Sequence, residues 1–155
     1  MNTLKVKIDD LADGAVAKLL QEHLEEMRLY SPQESIHALD VAALSHPSLT
    51  FWSAWAEEDL AGCGALKEMD ASQAEIKSMR TSRQYLRKGV AAQLLECMLA
   101  EAKARSYNIV SLETGTNEAF VPARKLYERF GFIECGPFGG YSLDPYSTYY
   151  TKLLE

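Results

Sequence analysis

The stretch Arg83-Gln84-Tyr85-Leu86-Arg87-Lys88-Gly89-Val90-Ala91 places three basic side chains and one glycine at the start of an apolar-periodic helix. That arrangement suits a pyrophosphate. The first amides of a helix have no intrahelical partner and lie at the positive end of its dipole, so they attract anions. Gly89 lets the backbone approach a ligand, and Ala91 keeps the next turn small. Taken alone, a basic loop before a helix is more often a solvated connection than an anion site. Neither GxGxxG nor GxxxxGK[ST] occurs, so the dinucleotide and P-loop fingerprints are unsupported. The histidines and cysteines show no CxxC or HExxH spacing, and no metal is expected. No GxSxG elbow accompanies the serines.

An anion loop of this kind needs a strand to feed it and a helix to leave it. Ala74 to Thr81 supplies the strand. Ile76 and Met79 are three apart, which breaks a period of two and predicts a bulge. Lys88 to Arg105 supplies the helix, with Val90, Leu94, Leu95, Met98, Leu99 and Ala102 as its apolar stripe. Upstream, Leu4 to Ile8 alternates as a strand. Asp13 is placed to cap a helix carrying Val16, Leu19, Leu20, Leu24 and Met27. A shorter helix is expected over 34–44, before His46-Pro47. Leu49 to Ala56 and Leu60 to Lys67 read as a hairpin. Downstream, Ile109 to Leu112 reads as a buried strand, and Pro122 opens a helix that stops at Gly131. Phe132-Ile133 begins another strand, and Ser147 to Leu154 is the last. The order is βαα-βββ-α-β-α-β-β, an α/β domain with a mixed, centrally antiparallel sheet.

The composition agrees. The 155 residues are 47% hydrophobic and 25% charged, the profile of one globular domain over 1–155. Sixteen Lys and Arg against 22 Asp and Glu leave a net charge of −6, which disfavours a nucleic-acid coat. No run approaches the roughly 20 apolar residues of a membrane span, and the first residues lack a secretory signal. Cys63, Cys97 and Cys135 are odd in number, so buried thiols in a reducing cytoplasm are expected.

The second motif, Ala123-Arg124-Lys125-Leu126-Tyr127-Glu128-Arg129-Phe130-Gly131-Phe132, completes a recognisable pair. In this element order the chain resembles the GNAT superfamily of N-acetyltransferases. That family's acetyl-CoA loop reads Q/R-x-x-G-x-G/A. Gly89 and Ala91 match it, while Leu86 stands where Gln or Arg is usual. The family's A-x-x-L-Y-E-x-x-G-F is matched in full from Ala123 to Phe132. An Asn often found three residues before that Ala is Phe120 here, with Asn117 as the nearby substitute. Leu-Arg-Lys-Gly-Val-Ala, Leu-Glu-Thr-Gly and Pro-Ala-Arg-Lys-Leu-Tyr-Glu look most like the YsnE-type bacterial subgroup.

The resemblance implies a single domain whose mostly antiparallel sheet has splayed middle strands and about four flanking helices. It implies direct acetyl transfer from acetyl-CoA to a primary amine of a small molecule, without a metal. Met79 and Thr81 would offer backbone groups to the acetyl and pantetheine portions. Arg87, Lys88, Gly89, Val90, Ala91 and Ala92 would hold the pyrophosphate. An alkyl ammonium has a pKa of about 10 and must lose a proton before it attacks, while the departing thiolate, near 8.5, is helped by a donor. Tyr127 matches the family's general acid; its helical pattern alone would make it a core tyrosine. For the base, Glu75 and Glu113 are the candidates, and each is otherwise a surface or ion-paired carboxylate. Glu75 is preferred because it shares a strand with the acetyl-binding backbone. His23, His37 and His46 read as helix surface or core. Glu22, Glu25 and Glu26 read as a solvated helix face, and the aromatic residues from Phe138 to Tyr150 as strand packing, a pocket wall or a dimer interface. A noncatalytic acyl-CoA-binding sensor or interaction module is the rival function. The partner expected is a small-molecule amine, with no nucleic acid, no membrane, and a homodimer by base rate.

Overall fold

Seven strands, β1 (Lys5–Asp9), β2 (Leu49–Ala56), β3 (Asp59–Glu68), β4 (Gln73–Thr81), β5 (Ile109–Gly115), β6 (Ile133–Cys135) and β7 (Ser147–Leu153), form one sheet. Three helices, α1 (Ala15–Met27), α2 (Val90–Ala104) and α3 (Val121–Arg129), accompany them in a computed structural model that describes residues 4–35 and 44–154. The strand order is β1-β2-β3-β4-β5-β7-β6. Every neighbouring pair is antiparallel except β4 and β5, which α2 links in parallel.

That parallel pair sets up the site. Its ladder joins Gln73–Ile76 to Ile109–Leu112 and then stops. Beyond it β4 stays with β3 as far as Thr81 opposite Gly62, and β5 stays with β7 as far as Gly115 opposite Ser147. The two strands therefore splay, as expected.

The expected bulge lies on β4. Cys63 pairs with Arg80 and Ala65 with Lys77, so Gly64 faces two residues, Ser78 and Met79. Ser78 takes φ 58, and the extra residue turns Met79 to the same side as Ile76. On that side α2 buries Leu94, Leu95 and Met98 against Leu66, Ile76, Val110 and Leu112. On the other, α1 buries Val16, Leu19 and Leu20 against Phe51, Cys63 and Ala65. Leu126 and Tyr127 of α3 join the α2 layer.

Local differences from the sequence reading have local causes. Gly14, at φ 76, is the N-cap of α1 rather than Asp13. The Asp13 side chain instead accepts the Ala15 amide at 3.0 Å, folding back on its own turn. α2 starts at Val90 rather than Lys88, because Gly89 sits at a non-helical φ of 80. Three α-helices are described where about four were expected. The expected helix over 34–44 is represented by a 3-10 turn at Gln33–Ser35; residues 36–43, His37 among them, lie outside the described residues. Among the described residues no helix is long and apolar enough to cross a membrane. All three cysteines are free thiols, but only Cys63 is buried.

Candidate active site

The parting of β4 and β5 opens a cleft of about 140 Å³. Glu75 and Met79 reach it from β4, Glu113 from β5 and Tyr127 from α3. Small residues keep it open: Gly115 ends β5 and Ala123 lies on α3, both in its wall. Phe120, in the family's Asn position, also lines it, and its ring fills the space that a Cβ on Gly115 would need. Asn117 lies elsewhere; its side chain accepts the Ala119 amide at 2.9 Å and caps a turn. Thr81 ends β4 at the far end of the splay and is not part of the cleft wall.

Tyr127 is buried, and burial alone pushes its phenol up to about 12. It is therefore a neutral donor at physiological pH. Its ring meets Phe132 edge-on at 5.9 Å. Glu75 is only 4% exposed, so it is not a surface carboxylate but one ion-paired with Lys77. Its Oε2 accepts Tyr141 Oη at 2.7 Å and lies 3.4 Å from Lys77 Nζ. Lys77 in turn donates to Tyr141 Oη at 2.8 Å. A second, wider cleft of about 670 Å³ is lined by Glu34, Lys67, Glu68, Asp144 and the Gly139–Leu143 segment. Among the described residues, Glu75 is the one common to both walls.

The basic loop has the form an anion needs. Gly89 caps α2 without any side-chain hydrogen bond, and the helical ladder begins with Gln93 N donating to Gly89 O. The amides of Val90, Ala91 and Ala92 precede that first rung. Arg87 and Lys88 are exposed beside them, and Arg87 holds φ 63, a left-handed conformation uncommon for a residue with a Cβ. Lys88 Nζ lies over the Tyr85 ring at 5.5 Å. Arg83 points instead toward Glu26, at 3.5 Å.

Several other groups at the site have no local motif that marks them. His23 lines the cleft from α1, and burial, then the Arg80 charge, lower its pKa to about 4. Among the described residues, His23 Nδ1 and Arg80 Nε are buried polar side-chain atoms without a partner. Glu26 is not simply a solvated face: it pairs with Arg80, whose hydrogen bond holds its carboxyl below the ordinary range. Lys77 stands two residues after Glu75 and belongs to neither motif. Tyr141 sits 66 residues from Glu75, and nothing local joins them. His46, by contrast, lies on a loop rather than a helix and makes an exposed turn contact with Ser48 at 2.8 Å.

The sequence profile described as Acetyltransferase (GNAT) family matches residues 16–132. The chain is 56% identical to the uncharacterized N-acetyltransferase YsnE of Bacillus subtilis (strain 168), covering 97% of this chain and 100% of that protein. It is 47% identical to the uncharacterized N-acetyltransferase YedL of Escherichia coli (strain K12), covering 96% and 94%. It is 33% identical to an IAA acetyltransferase of Azospirillum brasilense, covering 90% and 91%. In fold it is similar to a Klebsiella pneumoniae protein, with a TM-score of 0.80 at 20% identity over 99% of both chains. A Bacillus subtilis acetyltransferase crystallised in complex with CoA gives 0.73 at 17% identity, over 99% of this chain and 100% of that one.

Proposed function

The chain belongs to the acetyltransferase (GNAT) family, in its YsnE-like group, and from that premise we propose that it moves the acetyl group of acetyl-CoA directly onto a primary amine of a small molecule. One observation carries the reading. Glu75, Met79, Glu113 and Tyr127, from three separate elements, line the one cleft that opens between β4 and β5.

The cosubstrate supplies an activated acetyl thioester, and the chain's groups suit it. Beyond Ile76, β4 has no paired strand on its β5 side, which leaves peptide groups around Met79 and Thr81 to meet a pantetheine arm. The amides of Val90 to Ala92, with Gly89 and the exposed Arg87 and Lys88, suit the pyrophosphate. Glu75 is the base that takes a proton from the amine, directly or through one water. Glu113 shares the cleft and adds negative charge that favours a cationic acceptor. As the new C–N bond forms and the C–S bond breaks, Tyr127 donates to the leaving sulfur. The position of Glu75 between two clefts supports separate approaches for thioester and amine.

The test is thiol release from acetyl-CoA across amines, polyamines, amino acids and aminoglycosides, with a no-acceptor control. IAA belongs on the panel because a relative carries that name. Acceptor-dependent release is the expected result. Thermal stabilisation by acetyl-CoA with no release for any acceptor would instead favour a noncatalytic binding module. The absence of both release and stabilisation would overturn the reading.

A further inference from the structure

We propose that Tyr141 and Lys77 are positioning residues that hold Glu75 by one carboxylate oxygen and leave the other to receive the proton. The inference rests on the reading of Glu75 as the base. Both contacts fall on Oε2: Tyr141 Oη donates to it at 2.7 Å, and Lys77 Nζ lies 3.4 Å away. Among the described residues no side chain or amide donates to Oε1. The donors also support each other, since Lys77 donates to the Tyr141 oxygen at 2.8 Å and so directs the phenol hydrogen onto Glu75.

The scaffold around Tyr141 is built to hold it. Its ring packs against Phe138 at 5.3 Å and Tyr149 at 5.8 Å. Tyr149 Oη donates to the Ser142 carbonyl at 2.9 Å, tying the loop before β7 back to the strand. Burial, then the hydrogen bond to Glu75, keep the Tyr141 phenol above its ordinary range, so it remains a donor throughout the working pH.

A carboxylate as buried as Glu75 would be costly to ionise without such donors. Around it stand Lys67 across the β3 ladder, Glu113 on β5, His23 on α1, and Glu34, Glu68 and Asp144 at the wider cleft. Four of these six are acidic and His23 is neutral, so they raise rather than relieve the cost of the charge. Lys77 and Tyr141 offset it from the side away from Oε1. The same arrangement fixes the carboxylate plane, which a base needs in order to meet one proton direction.

The experiment uses the full chain, with its glutamates labelled in the carboxyl carbon, and follows the Glu75 resonance by NMR against pH. Glu75→Gln supplies the assignment. Tyr141→Phe and Lys77→Met each remove a donor that favours the anion. The expected result is a midpoint moved to higher pH by about one unit in each variant. Acetyl-CoA affinity, measured by calorimetry, stays within about twofold, since neither group touches the basic loop. The readout needs no knowledge of the acceptor. With an amine from the panel, the acid limb of kcat/KM moves upward with the NMR midpoint. An unmoved midpoint in both variants overturns the positioning role and leaves the base reading standing. Full turnover by Glu75→Gln overturns the base reading, and the proposal with it.

Discussion

Tyr127 keeps its proton through the whole physiological range, because burial lifts its phenol from 10.0 to about 12. The proton transfer to the leaving sulfur proposed for it therefore does not titrate near neutrality. Tyr127→Phe should lower kcat by about 10²-fold or more at every pH from 6 to 9, with acetyl-CoA binding unchanged. A variant with full turnover across that range would remove Tyr127 from the chemistry. His23 makes a prediction about stability. Its pKa falls from 6.5 to about 4 on folding, so the unfolded chain binds the extra proton first. Stability is thus lost as pH drops from 6.5 toward 4, by up to about 3 kcal/mol. Glu26, held below its ordinary value chiefly by Arg80, adds a further loss at still lower pH. His23→Gln should flatten the fall in melting temperature between pH 6.5 and 4 while leaving the Glu26 part in place.

At the scale of elements, close packing and backbone conformation can be separated by two glycines. A Cβ on Gly62 would come within 2.8 Å of the Arg80 carbonyl and 2.7 Å of Val90 Cγ1, where β3, β4 and α2 converge. Gly62→Ala should cost about 1–3 kcal/mol by overpacking. Gly89 has open space around it but sits at φ 80, so Gly89→Ala should cost about 1–2 kcal/mol through conformation alone. Asn tolerates that conformation. Thermal unfolding should therefore show Gly89→Asn recovering much of the loss, and Gly62→Asn worse than Gly62→Ala. The same distinction explains what the sequence revealed. Strands, helices and even the bulge were legible, because period and its interruption at Ile76 and Met79 are local signals. The basic loop before α2 and the place of Tyr127 on α3 were legible because each lies inside a contiguous motif. His23, Lys77 and Tyr141 were not, since their roles arise only when α1, β4 and the loop before β7 meet. The α1 N-cap was misplaced by one residue because Asp and Gly both suit the start of a helix, and only the backbone shows which one turns.

For the whole molecule, charge is unevenly spread. The chain carries −6 overall, yet Arg87 and Lys88 are exposed at the positive end of α2. An anionic cosubstrate is repelled by the bulk and drawn to that end, and salt weakens the attraction. The dissociation constant for acetyl-CoA should rise several-fold between about 0.05 and 0.5 M salt. Arg87→Ala combined with Lys88→Ala should weaken binding and reduce that salt dependence. Arg83→Ala should change it less, because Arg83 is already engaged by Glu26. Titration calorimetry at two salt concentrations distinguishes these cases.

Unpaired peptide groups in a sheet usually occur at its rim, where proteins guard them against other chains. Here the gap is internal, between β4 and β5, with helices and neighbouring strands around it. A pantetheine arm lying along that gap, as proposed, would act as a temporary rung between the two halves of the sheet. By mass action the folded state then gains from every increase in free occupant. With acetyl-CoA as the proposed occupant, the melting temperature and the resistance to added protease should both rise with its free concentration.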